Sequence, residues 1–471
     1  QPLRSFGLFI LLIAASSVAF SATITSNGTG GGNWSSSAWT NSPRTGTITT
    51  LNTSTAVTGV GTLFLTQINV GSVLKTTPGG VAIGTVASVT DDTHLTLVAN
   101  AASTNGGISF QFQGMASTDV ALVRGGDIIT VDIPTAACAS LSGNNTGAGA
   151  WSLVFNAGSQ LTVSGAFTIG DVGHAGTIVM TAGGYLKVGN LVSGNALSAL
   201  TPGSGTIEIT GATATTIPAS FNTFNNLTIS GGATTTGGAL TINGNLQIGT
   251  GTSNFVAAGF PLTVTGTTTI GAGTGKLTIS SATGAKVFDG QVIVNGGGTW
   301  ANTANTNVEF HNGFANNGGA FTWGTGIQIF NTNNQSLTNN FSIPNVEIDG
   351  ITLTNPGTLE ITGSLAETTT GILKQGSAAT LNINYPDINY PGGIIPAGIT
   401  IDASTANNTV NYIYPGAQSV IPGNYYNLSF SGGTTATAVS GLTISGNVNT
   451  DLGTTLHAGD FTHFIGGNLT N

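Results

Sequence analysis

The chain has 471 residues with 8 Lys+Arg against 17 Asp+Glu, a formal net charge of −9, and only 5% of it is charged, against roughly 25% in an ordinary soluble domain. After Arg4 the basic residues (Arg44, Lys75, Arg124, Lys187, Lys276, Lys286, Lys374) stand singly, so no patch neutralises a phosphate backbone and nucleic-acid binding is disfavoured. The one cysteine, Cys138 in Ala136-Ala-Cys-Ala-Ser-Leu141, excludes a disulfide within the chain and reads as a buried core thiol.

Residues 1–22 read as an export signal. Arg4 supplies the positive end, residues 6–15 (FGLFILLIAA) the apolar stretch, and Ser17-Val-Ala19 or Ala19-Phe-Ser21 the small residues of a cleavage site. The apolar stretch is too short to span a bilayer and no stop-transfer pattern follows it. A secreted mature chain with no membrane insertion is expected. Residues 23–44 come next as an N-terminal cap, with Trp34 and Trp39 in a Gly/Ser-rich stretch of little periodicity. Large rings at this place can cover the first exposed turn of a repeat structure; the competing role for the pair is stacking on a sugar.

Residues 45–114 follow a different pattern. Thr45-Gly-Thr-Ile-Thr-Thr50, Gly59-Val-Gly-Thr-Leu-Phe64, Val70-Gly-Ser-Val-Leu74, Gly84-Thr-Val-Ala-Ser-Val89, His94-Leu-Thr-Leu-Val98 and Ile108-Ser-Phe-Gln-Phe112 alternate in polarity. They predict short antiparallel strands, with turns at Pro78-Gly-Gly80 and Asp91-Asp92. The segment resembles a small β module recurrent in bacterial surface proteins and phage fibres, written GTGTxF, VGDxI, GTVxSIxSDTxLTL. That resemblance implies a module and no activity.

From residue 115 to 471 one short phrase recurs: Leu161-Thr-Val-Ser-Gly165, Leu240-Thr-Ile-Asn-Gly244, Leu262-Thr-Val-Thr-Gly266, Leu359-Glu-Ile-Thr-Gly363 and Leu442-Thr-Ile-Ser-Gly446. Each is a half-buried strand of period two, closed by a glycine expected to take positive φ at a corner. A strand with one apolar face cannot bury it alone, so the units must stack as a solenoid. Leu240, Ile242, Leu246, Leu262, Val264, Leu277 and Ile279 are expected to point inward, and Thr241, Thr263 and Thr278 outward. Residues 217–246 are matched by 421–448 and more loosely by 343–365, as in duplicated groups of turns. At ~20–25 residues per turn the region makes about fifteen turns, and at ~4.8 Å per strand a rod about 70 Å long. Because the chain opens at Gln1 and stops within another unit at Asn471, the expectation is that the protein continues past it, with an anchor or secretion domain there.

The Leu-Thr-Ile-x-Gly-Asn-Leu units resemble the rungs of large secreted bacterial β-helix surface proteins, adhesin-like and of filamentous-haemagglutinin or autotransporter-passenger type. Trp39…Pro43, followed after the inserted module by Asp119-Val-Ala-Leu-Val123 and Gly126-Asp-Ile-Ile-Thr-Val-Asp132, resembles their leading segment. The resemblance implies a fold and a location, and names no ligand.

Candidate chemistry is sparse. A β-helix enzyme on acidic polysaccharide needs two or three converging carboxylates, or a calcium-holding acidic cluster beside a base. Here Glu208, Asp289, Glu309, Glu360, Glu367, Asp402 and Asp460 each stand alone in sequence. Glu347 and Asp349 alternate on one strand face, and Glu309-Phe-His311 puts an acid and an imidazole side by side, the best local pair. His94, His174, His311, His457 and His463 lack metal-ligand spacing; His457 and His463 flank Gly459-Asp460, a weak set. Asn pairs (144/145, 225/226, 316/317, 333/334, 339/340, 407/408) fit corners, where Asn tolerates a left-handed backbone and can ladder from turn to turn; glycan binding is the other use of their amides.

The expected fold is therefore all-β: a parallel β-helix (β-solenoid), right-handed, with a small inserted antiparallel β module. The expected function is a non-catalytic adhesin or structural display rod on a bacterial surface, with no catalytic, cofactor or metal residue assigned. Its expected partner is a glycan or a host or neighbouring cell surface. The alternative is a polysaccharide lyase or glycoside hydrolase.

Overall fold

The computed structural model describes residues 22–35, 38–249, 251–271, 273–386, 399–433 and 435–471. The export signal read in residues 1–22 therefore lies outside the described residues, save Ala22. Among the described residues the single helix is the turn Phe64–Gln67; the other elements are strands. From Val120 onward they stack in parallel register, about 15 turns in all. One turn runs Leu246–Ile248, Asn254–Ala257, Leu262–Val264 and returns to Thr268–Ile270. Leu246 pairs with Thr268, Asn254 with Lys276 and Leu262 with Lys286. Each turn thus has three sides.

The alternation expected from the repeats is present. Leu240, Ile242, Leu246, Leu262, Val264, Leu277 and Ile279 are buried in one continuous core, while Thr241, Thr263 and Thr278 face outward and are partly exposed. Matching side chains sit above one another, so each turn covers the apolar edge of the last. Aromatic side chains continue this order inside: Phe288, Phe310 and Phe330 stack with centroids 5.9 and 5.3 Å apart.

The closing glycines behave differently from expectation. Gly165, Gly244, Gly266, Gly363 and Gly446 are not among the positive-φ residues. They are required by close approach instead. A Cβ on Gly266 would lie 2.4 Å from the carbonyl oxygen of Gly244, and one on Gly244 would lie 2.4 Å from Asn226 Oδ1. The corner is narrow because the turn below presses its main chain against it. Left-handed corners fall partly to asparagine, at Asn145, Asn339 and Asn407 of the predicted pairs and at Asn305. Corner amides also ladder between turns: Asn226 Oδ1 accepts from Asn245 N–H, and Asn245 Oδ1 from Thr267 N–H, both at 2.9 Å. The same ladder runs from Asn427 to Asn447 and on to Asn468.

Asn41–Thr50, Ala56–Val60, Val73–Thr76, Ala82–Asp91, His94–Leu97 and Asn105–Gln113 close into a six-stranded antiparallel barrel. Its core, with Ile48, Val57, Phe64, Ile83 and Phe110, is separate from that of the solenoid. Pro43 and Arg44 belong to the first barrel strand. At the junction Arg44 donates to both oxygens of Asp119, Nη1 to Oδ1 at 2.9 Å and Nη2 to Oδ2 at 2.6 Å. Trp34 and Trp39 are buried, edge to face at 4.9 Å, in the core shared with Ile24 and Trp151. Asp127 organises the loop around them, accepting from Ser26 Oγ and the N–H groups of Gly28 and Gly30.

The second side of the solenoid contains a discontinuity past Ala320–Thr322. Six strands from Thr215–Ile217 to Ala320–Thr322 form a continuous sheet that ends there. In the following turn Phe341, Ser342 and Ile343 pair forward with Leu359, Glu360 and Ile361, and not back to Ala320–Thr322.

Candidate functional site

A row of outward-facing ionisable groups lies on the third side, over four successive turns. Lys286–Phe288, Val308–Phe310, Gln328–Phe330 and the end of Phe341–Ile348 pair in register. Phe288, Phe310, Phe330 and Ile348 are the buried members of these strands, so their neighbours face solvent. One outward column reads Val287, Glu309, Ile329, Glu347. The next reads Asp289, His311, Asn331, Asp349, held by main-chain hydrogen bonds to Val264, Phe288, Phe310 and Phe330 respectively.

Stacking makes this cluster. His311 Nδ1 lies 2.7 Å from Asp289 Oδ1 and its Nε2 lies 3.7 Å from Glu309 Oε2, so the imidazole is bracketed by two carboxylates. Burial and the charges of Asp349 and Glu309 push the Glu347 carboxyl above its ordinary value. Asp349 moves the other way, because hydrogen bonds from Thr368 and Thr369 hold its charged form. Chemically the row sets an imidazole within reach of two carboxyl groups, and its surroundings favour the protonated form of Glu347 more than water would. Glu309 and Glu347 stand two strand spacings apart, ~9.6 Å along the sheet, with the apolar Ile329 between them. The sequence shows the Glu309/His311 and Glu347/Asp349 pairs and leaves Asp289 a lone acid; its approach to His311 and the convergence of the row are not local.

Most other acids are bound into the scaffold. Asp119 holds Arg44, and Asp132 accepts from Ser35 Oγ at 2.6 Å. Burial pushes Glu208 up, but hydrogen bonds from Ser230 and Tyr185 and the charge of Lys187 outweigh it and hold it below its ordinary value. Burial likewise pushes Asp171 up, but amide donors from Gly173, Asn145 and His174 outweigh it and hold its carboxyl below the ordinary value. Glu360 accepts from Asn384, Glu367 from the N–H of Gly371 and Asp402 from Ser404.

The remaining sequence candidates separate. Cys138 is buried and free, with its thiol pushed up by burial and by Asp119, so it stays protonated. Trp34 and Trp39 present no face for a sugar, being buried. His463 uses both ring nitrogens on the main chain: Nδ1 accepts from Leu442 N–H and Nε2 faces the Ala458 carbonyl at 2.8 Å. His457 and Asp460 are exposed. Among the described residues no three His, Cys, Asp or Glu side chains are grouped so as to hold a metal ion. Nor, among them, is any helix long and apolar enough to cross a membrane.

No family model, no curated protein and no solved structure matches this chain.

Proposed function

We propose that this chain is a secreted bacterial surface protein that works as a non-catalytic rod, for adhesion or for structural display. The observation that carries this reading is the outward face of the stack. Thr228, Gln247 and Thr269 lie in register on one side, and Asn382, Asn411, Ser429 and Asn449 on another. Such uncharged ladders offer hydroxyls and amides at a regular spacing along the rod, suited to a glycan or a polar cell surface. Most carboxylates serve corners, caps and junctions, consistent with a scaffold role. Export rests on the signal-like residues 1–22.

A second reading is favoured by one observation, the row Asp289, His311, Glu309 and Glu347. On an acidic polysaccharide Glu347 would act as the proton donor and Glu309 as the second carboxyl group of the pair. The two readings part on substitution. As an adhesin, the chain with Glu309→Gln and His311→Ala should keep attachment to cells or glycans within about 1 kcal/mol, the usual effect of surface changes. Loss of a general acid or base costs ~10²–10⁴-fold in rate. Depolymerisation of an acidic polysaccharide by the purified chain, abolished by Glu347→Gln, would overturn the non-catalytic reading.

A further inference from the structure

The discontinuity on the second side of the solenoid leaves a cleft. Phe321 is the last inward residue of its sheet, in register with Trp300 of the turn before. With no strand paired beyond it, its ring remains partly exposed. Phe321 and Trp323 stack at 5.1 Å with planes 13° apart, and Phe341 of the next turn meets Phe321 at 5.7 Å. These rings floor a depression of about 440 Å³, within the range of about 300–1,000 Å³ typical of small-molecule sites. Asn340, Ser342 and Thr362 form its rim, and no charged residue lines it. Asn340 Oδ1 accepts from Thr358 N–H, and its amide nitrogen has no partner among the described residues. The hydroxyls of Ser342 and Thr362 have no partner among the described residues.

We propose that this cleft binds an uncharged saccharide. The inference rests on the adhesion reading and gives it a ligand class. A pyranose ring has one face of C–H groups, which suits the partly exposed ring of Phe321 backed by Trp323, and an edge of hydroxyls, which suits amide and hydroxyl partners. An acyl chain would leave the three rim groups desolvated and unpaired. An added peptide strand needs ~4.8 Å on each side, yet the rings of Phe321 and Phe341 already touch across the break. The absence of lining charge removes any advantage for acidic sugars, which separates this cleft from the carboxylate row.

Tryptophan emission tests the idea in the full chain. Trp323 is 6% exposed, while Trp34, Trp39, Trp151 and Trp300 are at 0–1%, so a ligand in the cleft perturbs Trp323 first. Methyl glycosides of neutral hexoses and N-acetylhexosamines, and their disaccharides, should shift or quench this emission saturably. Asn340→Ala and Thr362→Ala should each weaken binding about 2- to 10-fold, the worth of one hydrogen bond. Ser342→Trp, at an exposed position that tolerates bulk, should block binding while circular dichroism stays unchanged. Trp323→Phe should keep binding, followed by saturation-transfer NMR, and lose the optical signal. Absence of any saturable response, or binding indifferent to Ser342→Trp, would overturn the cleft. Attachment to glycan-bearing cells by a wild-type chain that shows no saturable saccharide response would overturn the cleft and uphold the adhesion reading. Saccharide binding in a chain that attaches to no cell would uphold the cleft and overturn that reading.

Discussion

The Arg44–Asp119 pair joins the barrel to the solenoid, and its removal tests how the two are coupled. Both side chains are almost wholly inaccessible, at 1% and 0%. Asp119 also accepts from the N–H groups of Ala116 and Ala22, and the guanidinium lies 4.4 Å over the Phe112 ring. Breaking a buried pair by removing one partner costs about 3–5 kcal/mol, because the other charge stays behind without compensation. Arg44→Met leaves a carboxylate still served by two amides, so its cost should fall near the lower end. Asp119→Asn leaves a guanidinium with no counter-charge, whose Nε already lacks a partner, so its cost should fall near the upper end. The double variant strands neither charge and should cost less than the sum of the singles, by up to about 3 kcal/mol of coupling. Urea unfolding followed by tryptophan emission measures all three, since Trp34 and Trp39 lie beside the junction. Single costs below about 1 kcal/mol, or strictly additive effects, would refute the reasoning and place the pair in a solvated setting.

Gly266→Ala should destabilise by about 1–3 kcal/mol through overpacking against a main chain that cannot yield, while Gly106→Ala, where an added Cβ meets nothing within 4 Å, should stay within about 0.5 kcal/mol; equal thermal midpoints would show that the corners are looser than described. Asp171, Glu208 and Asp349 are held below their ordinary values of 3.8, 4.5 and 3.8, so their contribution is complete above those values and is lost as pH falls through the depressed ones. Glu347 has the opposite sign: raised above 4.5, it favours the folded state when protonated and loses that contribution as pH climbs through its raised value. Urea midpoints should therefore fall on acidification below 3.8 in the wild type, and Glu347→Gln should flatten the opposite change above 4.5; a wild-type midpoint that rises on acidification below 3.8 would contradict the assignment. Deleting residues 45–114 should leave a solenoid that still unfolds cooperatively, since the barrel has its own core and loop-joined modules of this kind are removable; loss of the cooperative transition would show that the barrel holds the first turns together.

Much of the architecture was legible locally. Alternation in Leu240-Thr-Ile242 and Leu262-Thr-Val264 identifies strands and their buried faces, because a period of two has only two ways to lie and one of them wets the leucines. Repetition of the phrase implies stacking, because one such strand cannot bury its own face. The antiparallel character of the inserted module followed from its turn signals in the same way. The glycine corners were legible in position but not in cause. A glycine needed for positive φ and one needed for close approach look alike in sequence, and Gly266 proved to be the second kind.

Some inward positions carry polar side chains that no pattern marks. Lys286 occupies the place held by Leu262 one turn earlier and donates to the carbonyls of Phe260, Thr283 and Gly284. Gln335 plugs another corner, donating to Phe310 and Asn331 carbonyls and accepting from Gly313 N–H. Buried main-chain groups at a corner must find partners, and which residue reaches them depends on the turn above and the turn below.

By itself the sequence determined the strand pattern, the buried faces and the stacked character of this protein, because those follow from burying apolar side chains at a fixed period along one chain. The tertiary structure alone decided which residues meet across turns: Asp289 beside His311, Glu309 near Glu347, and the break that leaves Phe321 and Trp323 facing a cleft. Contacts between turns depend on the length of every corner in between, and a one-residue difference there moves a side chain to a different neighbour or to the other face of the sheet.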